Sequence, residues 1–353
     1  MELSQITFDL PLFYFLILGF AIFMYVLLDG FDLGIGILFP WFESKAEKDH
    51  LMRSISHVWD GNETWLIFGG VILFAAFPAA YAALTSTFYL PIMIMLFALI
   101  FRGVAFEYRF KSDRSKPWWD FAFSTGSTVA AFCQGMILGA VVQGIPAGVN
   151  IAEASMASSW IWVTPFSVMT GFAVMTGYAL LAAGYLYMKS RDALQIKAAK
   201  YGRRLLVALL FFMMAVSIWT VIDQVEIRQR WLSGLNFLWL SPLPILSILL
   251  ACVAWQRFDT RNADSDLHEK HVHENWPFWC AAGLFLLGFA GLLVGLFPYL
   301  IPRQMTLWSA AAPDSSLQFL MFGIVIFLPL ICAYTLWGYR VFSGKIEDYQ
   351  EGY

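Results

Sequence analysis

The sequence predicts an all-α, polytopic membrane protein, and three observations carry this prediction. Hydrophobic residues make up 59% of the 353 residues, charged residues make up 13%, and the mean hydropathy is +0.66. Apolar runs of about 20 residues recur, which is the length of helix that crosses a hydrocarbon core of about 30 Å. The third observation is the distribution of Lys and Arg along the chain. We therefore expect a single integral membrane domain over residues 1–353.

Nine membrane spans are predicted, all joined by short loops. The Lys and Arg residues test this count, because 19 of the 22 lie in or after the odd-numbered spans and 3 lie after the even-numbered ones. Such an asymmetry is typical of a chain whose basic segments stay in the cytoplasm. It predicts an odd number of spans, with the N-terminus outside and the C-terminus in the cytoplasm. The predicted spans are residues 11–39, 64–84, 86–107, 120–145, 160–188, 205–223, 236–256, 276–300 and 317–341.

The first span contains two acidic residues within the stretch YVLLDGFDLGIG. Asp29 lies about 27 Å along the helix at ~1.5 Å per residue, which places it in the cytoplasmic half of the bilayer. A charge at the bilayer centre costs about 2.5–3.5 kcal/mol on insertion scales, and Asp29 and Asp32 share one helix face. Two interpretations stay open: a structural cap or pair near the interface, or a proton-accepting cluster that faces the protein interior.

A second polar stretch, HVWDGNETWL, leads into the second span from the cytoplasmic side. Asp60 or Asn62 can cap this helix, and Glu63 falls in its first turn, where a negative charge suits the helix dipole. Capping accounts for one acid, but it does not account for the two tryptophans that flank the Gly-Asn pair. The stretch is therefore a second candidate for function.

The third stretch, FRGVAFEYRF, ends the third span on the same side. Arg102 and Glu107 are five positions apart and point about 140° away from each other on a helix, so they cannot easily pair along it. We therefore expect Arg102 to find its counter-charge on another segment, and Asp29, Asp32 and Asp60 are the nearest acids by depth. The alternative is that the Arg102 side chain snorkels to the interface.

The histidines bear on haem and metal binding. A haem inside a membrane bundle needs axial ligands, most often His. No predicted span supplies one, so we expect this chain to bind no haem and no metal, and we interpret HEKHVHE (268–274) as a solvated loop. The five histidines are His50, His57, His268, His271 and His273.

The stretches LLDGFDLGIG, WDGNETWL and FRGVAFEYRF, in this order and at these span ends, resemble subunit II of the cytochrome bd-type quinol oxidases, and most closely the cyanide-insensitive branch. The resemblance covers nearly the whole chain and implies a heterodimer in the bacterial cytoplasmic (inner) membrane. Subunit I would hold the haems b and b/d, while the complex oxidises quinol and reduces dioxygen to water with protons from the cytoplasm. A small single-span accessory subunit is a further candidate partner, some members hold a structural quinone in subunit II, and no nucleic acid is expected.

The resemblance also implies roles for individual residues. In this family a proton path opens on the cytoplasmic side at the subunit interface. The matching positions are Asp29, Asp60, Arg102 and Glu107, with Asp32 and Glu63 as weaker candidates. Glu107 stands where other members carry Asp, and Trp65 matches a residue beside the family's apolar oxygen-access tunnel.

Two other functions fit the same sequence. A scaffold or assembly subunit without a proton role would share the fold and the partner, but conservative changes at the acids would leave turnover intact. A proton-coupled secondary transporter usually shows repeats and broken helices that meet near the midplane. The acids here lie near one face, and no paired broken spans are evident.

Overall fold

The computed structural model describes residues 8–111, 113–144, 160–258 and 274–346. Within them the chain forms a helical bundle with one short β-hairpin. The helices are α1 (Leu10–Leu38), α2 (Lys45–Arg53), α3 (Trp59–Ala76), α4 (Pro78–Thr87), α5 (Tyr89–Tyr108), α6 (Lys116–Gln143), α7 (Pro165–Lys189), α8 (Asp192–Asp223), α9 (Val225–Leu232), α10 (Asn236–Leu240), α11 (Pro242–Arg257), α12 (Trp276–Leu296), α13 (Leu307–Ala310) and α14 (Asp314–Val341). Strands β1 (Tyr299–Ile301) and β2 (Met305–Thr306) pair antiparallel.

Helix α1 is the central element of the bundle. The Asp9 carboxylate caps the start of the helix by accepting a hydrogen bond from the Leu12 N–H at 3.0 Å. Pro11 lies in the first turn, where its missing N–H leaves no donor unpaired. From there α1 runs in contact with α3, α6 and α7. The pairs α5–α6, α6–α7 and α7–α8 pack beside it, and α12 joins α7 to α11. The acidic half of α1 is thereby enclosed by other helices.

Glycines let these helices approach α1 closely at its acidic end. A Cβ atom at Gly34 would overlap the carbonyl oxygen of Tyr178 in α7, and one at Gly36 would overlap the Ser127 side chain in α6. Small residues are what membrane helices use for such backbone contact. The close packing leaves no room for lipid around Asp29 and Asp32, which are fully buried.

Eight helical segments in the described part of the chain are long and apolar enough to cross a membrane, in agreement with the predicted all-α, polytopic class. The predicted span 64–84 differs, because α3 ends at Ala76 and α4 begins at Pro78. A proline donates no backbone hydrogen bond and disfavours helical geometry at the preceding Phe77. The Ala76 carbonyl instead accepts a hydrogen bond from the Ala312 N–H at 2.8 Å.

Helices α1, α5 and α7 end, and α3, α6 and α8 begin, at one end of the bundle, which we call the basic end. A network of charges closes this end. Arg109 is 1% exposed and lies 2.5 Å from both Asp49 of α2 and Asp120 of α6. Because this guanidinium contacts carboxylates from two other elements, it fixes the end of α5 and thus the height of Arg102, two turns earlier.

Candidate functional site

A buried cluster of three charged side chains lies in the half of α1 nearest the basic end. Asp29 and Asp32 sit one turn apart, and both are fully buried, as is Arg102 of α5. Arg102 Nη1 lies 2.8 Å from Asp29 Oδ1, and Nη2 lies 3.8 Å from Asp32 Oδ2. The predicted pairing of Arg102 with acids of span 1 is therefore confirmed, and the snorkelling alternative is wrong. We call these three residues the ion triad.

The ion triad has one carboxylate more than it has cations. With both acids ionised it carries one net negative charge, and an unbalanced buried charge is costly unless protons or hydrogen bonds compensate it. Asp29 Oδ2 and Asp32 Oδ1 have no hydrogen-bond partner among the described residues. The arrangement can therefore take up a single proton, which would neutralise it.

Two polar side chains connect the ion triad to other helices. Asn62 of α3 donates from Nδ2 to Asp32 Oδ2 at 2.7 Å, and the Tyr339 hydroxyl of α14 donates to Asn62 Oδ1 at 2.9 Å. Asn62 is 2% exposed, so both ends of its amide are satisfied in a buried position. The hydrogen bonds join α1, α3 and α14 around a single carboxylate.

Tyr339 and Asn62 also line a cleft that is open to solvent at the basic end. The other lining residues are His57, Val58, Asp60, Gly61, Tyr334, Thr335 and Gly338. The cleft has a volume of about 30 Å³, which is enough for a couple of water molecules. It therefore brings water within reach of Asn62, which contacts Asp32, and of Tyr339, which contacts Asn62.

Asp60 lies in this cleft as an exposed carboxylate in the first turn of α3. Its Oδ1 accepts a hydrogen bond from the Gly61 N–H at 2.8 Å. The expectation that Asp60 or Asn62 caps the helix is wrong, because the N-cap position is Val58, which has no side-chain cap. The reason is that α3 begins at Trp59, one residue before Asp60, so the acid sits inside the helix and complements its dipole.

His57 borders the same cleft, and its ring lies 4.1 Å from that of Phe342. Burial, and secondly the nearby Lys189 ammonium, lower the pKa of His57 to about 4. The ring is therefore neutral at neutral pH and adds no positive charge to the cleft.

On the other side of the ion triad, polar groups continue across α6 and α7. Tyr25 lies one turn before Asp29 on α1, and its hydroxyl accepts a hydrogen bond from Gln134 Nε2 at 2.7 Å. Gln134 Oε1 in turn accepts one from the Tyr178 hydroxyl at 2.8 Å. The polar region is thus longer than the triad and extends into the bundle.

The remaining predicted residues are placed differently. Glu63 is half-buried on α3, within electrostatic range of Arg102. Glu107 is 68% exposed and pairs with Lys111 at 3.4 Å, so the structure does not bring it to the ion triad. Trp65 is fully buried, and its ring meets Phe20 edge to face at 5.7 Å. Its proposed place beside an oxygen tunnel stays a prediction.

Sequence reasoning missed Tyr339 and saw Asn62 only as a cap. The two are separated by 277 positions, so no local spacing links them. A tyrosine near the end of an apolar span also looks like an ordinary interfacial aromatic residue. The one available signal was Asn62 itself, an amide that costs free energy at the start of a membrane helix unless it finds partners.

Comparisons with known proteins agree with this architecture. Residues 10–342 match the family described as cytochrome bd terminal oxidase subunit II. The chain is 27% identical over 373 aligned positions to cytochrome bd-I ubiquinol oxidase subunit 2 of Escherichia coli (strain K12), an alignment that covers 94% of this chain and 92% of that protein. It is 26% identical over 330 positions to cytochrome bd ubiquinol oxidase subunit 2 of Bacillus subtilis (strain 168), with 91% and 92% covered.

A solved structure shares the fold. The structure of bd oxidase from Geobacillus thermodenitrificans includes a chain that matches with a TM-score of 0.75 at 17% identity, covering 95% of this chain and 99% of that one. The match of residues 10–342 to the family model establishes the family. The chain belongs to the cytochrome bd terminal oxidase subunit II family.

Proposed function

We propose that this chain is the haem-free subunit II of a bd-type quinol:oxygen oxidoreductase and that it forms part of the cytoplasmic proton-uptake path for the reduction of dioxygen to water. One observation carries the proton role. A fully buried ion triad with one excess carboxylate is joined through Asn62 and Tyr339 to a solvent-open cleft that holds Asp60. An acid at the mouth and acids in the interior are what a proton path needs in a membrane.

The redox chemistry belongs, in this proposal, to a haem-bearing subunit I. The two histidines in the described part of the chain, His50 and His57, lie between α1 and α3 rather than inside the bundle. His50 Nε2 is 3.1 Å from Ser190 Oγ, and His57 packs on Phe342. We expect this subunit, expressed alone, to bind no haem stoichiometrically, and a low-spin haem spectrum of the isolated chain would contradict the assignment.

The cytoplasmic placement of the basic end can be tested by reporter fusions. Reporters fused after Tyr353 or within residues 109–118 should report the cytoplasm, because the Lys and Arg distribution places these segments inside. Reporters within 147–158, which lie outside the described residues, should report the opposite side. A C-terminus on the outer side would remove Asp60 from the cytoplasm and with it the proposed path.

The second candidate is a scaffold or assembly subunit, and one observation favours it. The ion triad connects α1 to α5, and such buried pairs can serve structure alone. Membership of the oxidase family leaves the transporter alternative without support. The two functions differ in their consequence for turnover: a conservative change at an acid leaves turnover intact in a scaffold subunit and lowers it in a proton path.

The deciding experiment is Asp60→Asn in the assembled complex. Asn keeps the size and most of the hydrogen bonding of Asp, but it cannot take up and release a proton. Oxygen consumption with saturating quinol, normalised to haem, should fall severalfold, and Asp29→Asn should show a smaller loss because neighbouring acids partly substitute. Asp314→Asn is the matched control, since Asp314 is an exposed acid in the first turn of α14 at the other end of the bundle. Wild-type turnover of Asp60→Asn from about pH 6 to 8 would favour the scaffold function.

A further inference from the structure

Two side chains stand between the cleft and the ion triad. Asp60 lies on the solvent side, where the cleft is open, and Asp32 lies on the buried side. Between them Asn62 contacts Asp32 with its amide nitrogen, and Tyr339 holds the amide oxygen. Both Asn62 and Tyr339 also line the cleft, so they form its inner wall.

This wall cannot pass protons as it stands. A carboxamide has no proton that it releases or gains at ordinary pH, so the Asn62 side chain orients Asp32 but does not relay to it. A proton from the cleft therefore needs a water molecule that contacts Asp32 directly. Asp32 Oδ1, which has no hydrogen-bond partner in the described part of the chain, is an acceptor suited to that contact.

We propose that Asn62 and Tyr339 form a gate for the proton path and that the structure shows its closed state; this inference rests on the proposed function. In the open state the Tyr339 hydroxyl leaves Asn62 Oδ1 and bonds a water that contacts Asp32 Oδ1. The proton moves from that water to the Asp32 carboxylate. The water regains a proton from the Asp60 carboxyl group, which takes one up from the cytoplasm. Asn62 and Tyr339 are positioning residues in this scheme.

The surroundings of Tyr339 restrict the motion to its side chain. Three residues later, the Phe342 carbonyl accepts a hydrogen bond from Lys189 Nζ of α7 at 2.5 Å. Lys345 Nζ then pairs with Glu274 at 2.7 Å. These contacts fix the end of α14 on the bundle. Opening the gate therefore breaks one neutral hydrogen bond and leaves the helix in place.

The test uses the assembled heterodimer with Tyr339→Phe, which keeps the aromatic ring and removes the hydroxyl. Turnover with saturating quinol, normalised to haem, should fall severalfold because the bridging water loses its partner. The solvent deuterium isotope effect on turnover should rise, since proton entry becomes rate-limiting. The matched control is Tyr89→Phe, an exposed tyrosine at the start of α5, which should leave both quantities unchanged.

The outcomes separate the gate from the path. Wild-type turnover in Tyr339→Phe combined with slow turnover in Asp60→Asn would overturn the gate and leave the path intact. Wild-type turnover in both would overturn both. Slow turnover with an unchanged isotope effect would assign Tyr339 a structural role and overturn the gate. If Tyr339→Phe does not assemble, turnover and the solvent isotope effect are measured on Asn62→Gln instead. This change displaces both amide contacts by one methylene.

Discussion

Replacing Arg102 by methionine removes the only cation of the ion triad while keeping an unbranched side chain. Two fully buried carboxylates then lose the guanidinium that lies 2.8 Å from Asp29 and 3.8 Å from Asp32. At an effective dielectric constant of about 20, these attractions amount to about 6 and about 4 kcal/mol. The cost of desolvating the guanidinium offsets much of this sum. Removing one partner of a buried ion pair typically lowers the free energy of unfolding by about 3–5 kcal/mol, and we expect that range for Arg102→Met.

The assay is thermal unfolding of the purified heterodimer together with its yield and haem content. Arg102→Met should lower the melting temperature by several degrees and reduce assembly. The double variant Arg102→Met with Asp29→Asn should recover part of the loss, because only one buried carboxylate then remains without a cation. A single variant that melts like the wild type, with an unchanged pH profile of turnover, would refute the argument that the triad is an electrostatic unit.

Two further predictions concern packing and pH. Gly34→Ala should destabilise the complex by about 1–3 kcal/mol, because the new methyl group meets the Tyr178 backbone. Gly70→Ala is the control, because among the described residues no atom outside its own stretch of helix lies within 4 Å of the new methyl group. Equal melting temperatures of the two variants would contradict the close approach of α1 and α7. The pKa of His57 is lowered to about 4, so this ring takes up a proton more readily in the unfolded chain, and its contribution to stability is lost as the pH falls from about 6.5. Between about pH 7.5 and 5, the melting temperature of His57→Gln should therefore fall less than that of the wild type. The difference corresponds to about 1 kcal/mol in the free energy of unfolding, after allowance for the partial exposure of His57. An unchanged pH dependence would show that burial does not perturb this ring.

The helical architecture and the ion triad could be predicted from the sequence because both rest on local signals. Apolar run lengths give the spans, and the angular separation of Arg102 and Glu107 directs the arginine to another segment. Depth in the bilayer then gives Asp29, Asp32 and Asp60 as candidate partners, and the structure places Asp29 and Asp32 at ion-pair distance. Each step needs only helix geometry and the cost of a charge in a bilayer.

Other parts of the site depend on tertiary packing that no local signal encodes. Glu107 belongs to the same stretch as Arg102, yet α5 turns it outward to Lys111. The hydrogen bond between Tyr339 and Asn62 depends on how α14 is placed against α3, after most of the chain has intervened. The division of the second span was visible in principle at Pro78, but hydropathy alone merged the two helices into one run.

The division of the second span at Phe77 has a consequence for biogenesis. The apolar part of α3 runs only from Trp65 to Ala76, about 18 Å at ~1.5 Å per residue, and polar residues precede it. Such a segment is too short to insert efficiently into a membrane by itself, since the hydrocarbon core is about 30 Å thick. Its amide at Asn62 is satisfied by Asp32 of α1, which leaves the ribosome first. Insertion of this helix should therefore require that α1 is still next to the translocon when α3 emerges. In a ribosome-bound chain that lacks α1, α3 should stay outside the bilayer.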